Sequence, residues 1–508
     1  MKNIKGICIL GLMFSSFFVF AQQEPFILTL DGACRLAKSN SLSVFINKNS
    51  FLSSYWEYRT YKADFLPELT LKSNLVSYNN SNRLRYNSVT KTDSYVHTKD
   101  LNSDVSLSLR QNVGLTGGSI FLESSLDRNQ NLGDQEFIQY ASRPYRIGYS
   151  QKLFGYNRLK WNRLLEPKKY EKAKREYLSN LEGVYITTCN YFFNYALAQK
   201  NLENAKYNYD QTNVMVQIAH KRFNIGTIEK DELLQLELQL NNQSIALQEW
   251  EVRVQKSRVQ LLSFLRLSQD KEIKVLLPSV DSIRIEESLA LDHARKSNVL
   301  MIQNELTLLN DQSHVARVKS EQRFQANLNL SYGINKADGS YDYKNNVPVN
   351  GSVPNVYQPK FDDYQSFAVT LSVPLVDWGK RKGRVEMAKS RQEVNRIKVE
   401  QSQIDFEQNV LTTVMEFNLQ YAKVKASQRS QQIAEDGYEV TSQRFRNGNI
   451  EVLQLNNAQR DRSNALIKVI QSKQNYWKSY FTVRKFTLYD FKSEVALTED
   501  FEALIQNL

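Results

Sequence analysis

Glu232 and Glu451 are the side chains of this 508-residue sequence best placed to do chemistry as a set. Each immediately precedes two aliphatic residues and a glutamine, Leu233-Leu234-Gln235 in one case and Val452-Leu453-Gln454 in the other. Each also follows a matching pentapeptide, Arg222-Phe223-Asn224-Ile225-Gly226 or Arg444-Phe445-Arg446-Asn447-Gly448. A carboxylate in the first turn of a helix is favoured by the helix dipole alone. Carboxylates gathered from several subunits around a pore would do more, because a ring of negative charge selects cations.

No catalytic constellation competes with this pair. The sequence has four histidines, His97, His220, His293 and His314, and none belongs to a metal-binding or hydrolytic motif. His220 stands alone beside the first pentapeptide, where a solvated or packed role is expected. No glycine loop fit to cradle phosphate and no Cys-x-x-Cys occurs. Catalytic residues, a metal and an organic cofactor are therefore not expected. Cys34 and Cys189 are too few and too distant for a disulfide framework, and read as buried apolar thiols.

The two pentapeptides are parts of a larger duplication. Lys38-Ser39-Asn40-Ser41-Leu42 returns as Lys296-Ser297-Asn298-Val299-Leu300, and Ser-x-Ala-Leu follows both pentapeptides, at Ser244 and Ser463. Anchors more than two hundred positions apart mark two domain-sized copies rather than a solenoid of short repeats. Proline is absent between Pro167 and Pro278 and after Pro374, and glycine is rare there, so both regions read as long helices. From Val184 through Thr188, Tyr191, Tyr195 and Ala198 the apolar spacing alternates four and three, the mark of a coiled-coil seam. Gly226 and Gly448 sit where a helix end needs a left-handed residue, so each copy is predicted to turn back as an antiparallel hairpin.

Between the helices the period changes to two. Leu69, Leu71 and Leu75 alternate with polar residues, as do Val105, Leu107 and Leu109, and Tyr145, Ile147 and Tyr149; Leu328, Leu330 and Tyr332 in the second copy are matched by Phe367, Val369 and Leu371. Runs of about ten such residues are the pattern of outer-membrane barrel strands. The stretch from 67 to 154 spans 87 positions and its counterpart from 323 to 376 spans 53, so the first copy holds 34 extra positions, read as an added β-hairpin. Polar, aromatic loops are predicted at 79–100 and 335–363. Trp378 follows a strand and enters a helix, as an interfacial aromatic would. For Trp56, Trp161 and Trp477 ordinary packing is expected.

At the N-terminus, Lys2 and Lys5 precede an apolar run and Val19-Phe20-Ala21, which reads as a secretory signal over 1–21. No later run has the roughly 18–20 apolar residues of a membrane helix, so membrane entry would require a barrel. The formal charge of +12 is scattered along helix faces, and export excludes nucleic acid as the expected partner. The predicted organisation is a first structural repeat at 22–277 with strands at about 67–154 and a helical hairpin at 168–277. A second repeat follows at 278–488, with strands at about 323–376 and a hairpin at 380–488, then a C-terminal tail at 489–508.

In this order, the signal segment, the duplicated unit, the opening Leu28-Thr29-Leu30-Asp31-Gly32-Ala33, the twin Arg-Phe-x-x-Gly turns and Val373-Pro374-Leu375-Val376-Asp377-Trp378-Gly379 resemble the TolC-like outer-membrane efflux and secretion channels, the outer membrane factors. The resemblance implies an α+β membrane protein and a homotrimer. Its protomers would share one β-barrel in outer-membrane lipid and one helical tunnel extending into the periplasm. It implies hairpin tips, at Arg222, Phe223, Gly226, Arg444, Phe445 and Gly448, that face a periplasmic adaptor, or membrane fusion protein. That adaptor would couple to an inner-membrane transporter of resistance-nodulation-division or ABC type. Glu232 and Glu451 match acidic positions near the periplasmic entrance, and Pro374, Asp377, Trp378 and Gly379 match the strand-to-helix junction. The expected role is a passive exit duct in tripartite efflux or type I secretion. A coiled-coil tether or adhesin of the envelope is the competing expectation.

Overall fold

The computed structural model describes residues 26–87, 91–132, 137–270, 272–337, 343–344, 347–348 and 362–506. The expected signal segment and most of the expected loop at 335–363 lie outside them. The chain passes twice through one plan of two short helices, a set of strands and two long helices. In the first pass β1 (Phe26–Thr29) leads into α1 (Leu30–Asn40) and α2 (Leu42–Ala63). The strands β2 (Glu68–Asn87), β3 (Thr92–Val113), β4 (Gly118–Asn131) and β5 (Phe137–Leu153) follow, then α3 (Arg158–Asn224) and α4 (Lys230–Leu265). After β6 (Ile273–Leu276) the second pass begins with α5 (Glu287–Ser297) and α6 (Val299–Glu321). It continues through β7 (Gln325–Ala337), the short pair β8 (Tyr343–Lys344) and β9 (Val347–Pro348), β10 (Asp362–Ser372), α7 (Lys380–Arg446) and α8 (Val452–Thr487). The pair β11 (Tyr489–Asp490) and β12 (Val495–Ala496) and helix α9 (Phe501–Gln506) come last.

The copies match closely in helix length. Helices α3 and α7 have 67 residues each, and α4 and α8 have 36 each. Ser41 and Asn298 separate the paired short helices, and each accepts a bond from a backbone N–H two residues on, so small polar side chains restart the helix in both copies. Helix α3 starts at Arg158, ten residues before the expected 168, and contains Pro167. The Asn157 side chain accepts from the Lys160 N–H at 3.0 Å and sets that earlier start. The proline forgoes one helical hydrogen bond there, at a cost of about 3 kcal/mol.

Two compact units divide the chain across these repeats. The first collects the described residues up to 45 together with 181–285 and 415–483, which hold the C-terminal parts of α3 and α7, all of α4 and most of α8. Its core holds Phe192, Phe193, Leu261, Leu262 and Leu265 among the least exposed side chains, with β1 and β6 paired in parallel beside them. Cys34 and Cys189 are buried in this unit without a disulfide, and burial pushes the Cys189 thiol up to about 12.

The second unit contains a six-stranded sheet in the order β10-β7-β5-β4-β3-β2. All its neighbours are antiparallel, so directly paired residues share a face. One row runs Leu69, Leu109, Leu122, Ile147 and Tyr332, and the next runs Ile120, Tyr149, Leu330 and Phe367. Most of these apolar side chains are exposed. The opposite face carries Thr70, Ser108, Glu123 and Arg146, with Glu123 and Arg146 paired at 3.0 Å. Strands β2 and β3 also run through residues 79–87 and 92–100, where a loop was expected; backbone pairing continues from Asn79↔Asp100 to Asn87↔Thr92. Polar side chains did not prevent this, because the ladder is made by the backbone and Tyr and Thr sit well on a solvated pleat. In the same unit Phe501 of α9 packs tilted against Phe51 and edge-on against Tyr177, so residues after 489 fold back rather than trail.

Candidate functional site

The two helical turns of the first unit share one backbone solution. The Gly226 N–H donates to the Phe223 carbonyl and the Thr227 N–H to Arg222, both at 2.9 Å. The Gly448 N–H donates to Phe445 at 2.9 Å and the Asn449 N–H to Arg444 at 3.0 Å. This is the paired closure of a helix end by a left-handed residue, and the glycines have φ of +75° and +79°. Gly226→Ala and Gly448→Ala are each expected to lose about 1–2 kcal/mol from the left-handed backbone. The Gly448 change should be the larger, because its Cβ would also meet Arg222 Nη2 at 3.2 Å while nothing lies within 4 Å at Gly226. Thermal unfolding of the two variants checks the order.

Beyond the backbone the twin pentapeptides diverge. Phe445 is 1% exposed and lies in a cluster with Met215, Val216, Leu233, Leu236 and Val452, whereas Phe223 is 38% exposed. Arg222 donates from Nη1 to the Phe445 carbonyl at 3.3 Å and lies over the Phe445 ring at 5.7 Å. Arg444 is exposed. Arg222 and Phe445 therefore hold the two turns together, and Phe223 and Arg444 face outward.

Glu232 and Glu451 each precede the first buried aliphatic of the returning helix, Leu233 or Val452. They differ relative to the helix ends. Lys230, Asp231 and Glu232 add one turn to the start of α4, so Glu232 lies inside the helix while Glu451 is the residue before α8. Measured from the helix start, Glu229 is the counterpart of Glu451. Glu232 is half-buried and Glu451 exposed, and neither has a side-chain partner among the described residues. His220 pairs with Glu237 across α3 and α4, Nε2 to Oε1 at 3.2 Å.

A polar cluster further along the same helices has no counterpart among the sequence expectations. Arg462 of α8 donates from Nε to both carboxylate oxygens of Glu435 on α7, at 2.8 and 2.7 Å, and from Nη1 to Asn204 Oδ1 on α3 at 3.1 Å. Its guanidinium lies 4.1 Å from the Tyr207 ring centroid and 5.5 Å from that of Tyr438. Burial, with Tyr207 adjacent, pushes the Tyr438 phenol up to about 12. Ser463 accepts from Asn204 and Asn208 at 3.0 and 3.1 Å. The signal was available in the sequence as Asn201, Asn204 and Asn208, polar residues at three-four spacing beside the apolar seam, all buried.

In the second unit Asp377 starts α7. Its carboxylate accepts from the Gly379 and Arg381 N–H groups at 3.3 and 3.0 Å and from Arg381 Nε at 2.6 Å. The Arg381 side chain foremost, then these backbone donors, hold the carboxyl below its ordinary range. Pro374 lies in the segment between β10 and α7. Trp378 and Gly379 both take positive φ, and Trp378 is 96% exposed. In the first copy Asn157 takes the capping place of Asp377, and Phe154 has the positive φ. Trp477 is packed against Tyr480 and Phe481, whereas Trp56 is exposed.

No group of acidic, histidine or cysteine side chains among the described residues could hold a metal, and no described helix is long and apolar enough to cross a membrane. Residues 296–487 match the outer membrane efflux protein family. No curated protein matches the chain. Solved structures with the same fold include the CmeC outer membrane channel of Campylobacter jejuni, at 14% identity over 94% of this chain and 88% of that one, with a TM-score of 0.63. They also include the outer membrane protein VceC of Vibrio cholerae, at 12% identity, 90% and 95% coverage and a TM-score of 0.60. The open MtrE outer membrane channel of Neisseria gonorrhoeae matches at 13% identity, 93% and 90% coverage and a TM-score of 0.56.

Proposed function

We propose that the chain is a TolC-like channel of the outer membrane efflux protein family, which its residues 296–487 match, and that it is an outer-membrane exit duct that conducts substrates passively to the exterior. The observation that carries this reading is the two-faced sheet: six strands of 11 to 22 residues, apolar and exposed on one face, polar and ion-paired on the other. About 9–11 tilted residues span a bilayer. A tether or adhesin has no use for such a face, whereas outer-membrane lipid covers it and water fills the polar side.

Self-association has its own support. On α4, Leu238, Ile245, Val252 and Val259 are exposed at strict seven-residue spacing; on α7, Leu419, Ala426, Ile433 and Val440 are exposed at the same spacing. Two uncovered heptad stripes of equal length suit α4 of one copy packing against α7 of the next in a left-handed coiled coil. Such head-to-tail contacts form a ring when the rotation between copies closes. The assembly is a homotrimer of tandem repeats 22–277 and 278–488, whose helices form a periplasmic tunnel. Its tips receive a periplasmic adaptor and, through it, an inner-membrane transporter of resistance-nodulation-division or ABC type, as in tripartite efflux or type I secretion. Phe223 and Arg444 are the adaptor-facing members of the twin turns. The junction at Pro374, Asp377, Trp378 and Gly379 sits at the membrane boundary, with Trp378 in the headgroup region.

Planar-bilayer conductance of the detergent-extracted protein, with oligomeric mass from the same sample, tests the reading. Trimers giving discrete channels support it, and a non-conducting monomer refutes it. If Glu232 and Glu451 ring the entrance, Glu232→Gln with Glu451→Gln lowers cation selectivity; an unchanged reversal potential in a salt gradient removes that role.

A further inference from the structure

We propose that the added hairpin β3–β4 is barrel wall, so that three copies of the six-stranded sheet close an eighteen-stranded barrel that admits large hydrophilic cargo. The proposal rests on the duct reading above and specifies the size class of what passes. In the second copy β7 pairs directly with β10, whereas in the first β2 and β5 are separated by β3 and β4. A sheet of six is too few to close alone, since single-chain outer-membrane barrels start at eight strands. Among the described residues no further strand pairs with its two edges, β2 and β10, which leaves them to a neighbouring copy.

An inserted hairpin could instead fold into the lumen as a plug. Its side chains argue against that. Leu107, Leu109, Ile120 and Leu122 are 38–45% exposed and lie in the same rows as Leu69, Leu71, Ile147 and Tyr149 of the flanking strands. Ser108, Arg110 and Glu123 project to the other face. A plug would be wetted on both sides and would need no such division. The hairpin is also fixed at the helix-proximal margin of the sheet. Gln111 donates to the Phe65 carbonyl and Asn112 to Asp64, both at 2.9 Å, and Asn157 donates to Gly114 at 3.3 Å.

Barrel diameter grows roughly in proportion to strand number, and barrels of 16–18 strands enclose an aqueous channel. The hairpin thus widens the barrel by about one half over the twelve strands that would remain without it. On the polar face Arg146 pairs with Glu123, at 3.0 Å, and Arg143 with Asp127, at 3.6 Å, so the wall presents paired charge rather than a field of one sign. A wide wall without net bias excludes neither large solutes nor either sign of charge, and leaves selection to the helical end.

Three measurements on the full chain decide the matter. Electron cryo-microscopy of the detergent-extracted trimer should count eighteen strands; twelve, with the hairpin elsewhere, overturns the proposal. Leu107→Arg with Leu122→Arg should abolish the detergent-extracted trimer while Ser108→Arg retains it, and equal tolerance of both overturns it. In Ser108→Cys, maleimide-polyethylene glycols of graded mass should react up to sizes that a twelve-stranded barrel would exclude; reaction with only the smallest overturns the cargo class. A conducting trimer that fails these tests removes this inference alone, whereas failure to form any channel removes the duct reading itself.

Discussion

Phe445→Ala loosens the helical turns by about 3–5 kcal/mol, while Phe223→Ala, at the matching place in the repeat, shifts stability by only about 0.5 kcal/mol. The difference follows from surroundings rather than residue type. The Phe445 ring is enclosed by side chains from α3, α4 and α8 and roofed by the Arg222 guanidinium. Truncation leaves a cavity between four helices and removes the platform on which Arg222 rests. Phe223 is exposed at the surface and leaves no cavity. Hydrogen exchange of amides near Met215, Leu236 and Val452 reads the result directly. The functional consequence is inverse: adaptor binding should suffer at Phe223→Ala with the turn still folded, and a loss of exchange protection of equal size in both variants would contradict this division of labour.

That division could not be read from the repeat, because a repeat reports local sequence and the two phenylalanines differ only in what the other copy brings to them. The backbone was legible for the same reason. Gly226 and Gly448 need left-handed φ whatever surrounds them, and long stretches without proline leave helix as the only economical use of apolar residues at three-four spacing. The period-two runs placed the strands, and the excess length between 67 and 154 revealed the added hairpin, since a length difference between copies must be housed somewhere. Other features depended on partners distant in the chain. The strands continue through 79–100 because β2 and β3 pair residue by residue; composition alone suggested a loop. The segment after 489 folds back because Phe501 finds Phe51 and Tyr177. Glu232 and Glu451 align with their buried neighbours but not with their helix ends, because one added turn in α4 separates the two registers.

Arg462→Met should cost about 2 kcal/mol, between the figures for breaking an exposed and a buried ion pair. The Arg462 side chain is 14% exposed and Glu435 41%, so the abandoned carboxylate can recover some water, but the rest of the site cannot. Asn204 Oδ1 loses its donor, and the rings of Tyr207 and Tyr438 lose the cation between them. Methionine keeps the apolar stem, so the loss reports the guanidinium. Lysine should recover only part, because a point charge cannot meet Glu435 and Asn204 together as the planar fork does. The cluster joins α3, α7 and α8, and Gln239 of α4 bonds to Gln459 beside it at 2.6 Å. Loosening it therefore frees one hairpin to move against the other. In the duct this predicts lower exchange protection around Asn208, Tyr438 and Ser463 in Arg462→Met, together with a higher resting conductance. Reduced protection with unchanged conductance would make Arg462 a stabiliser of the helices and no part of what keeps the passage narrow.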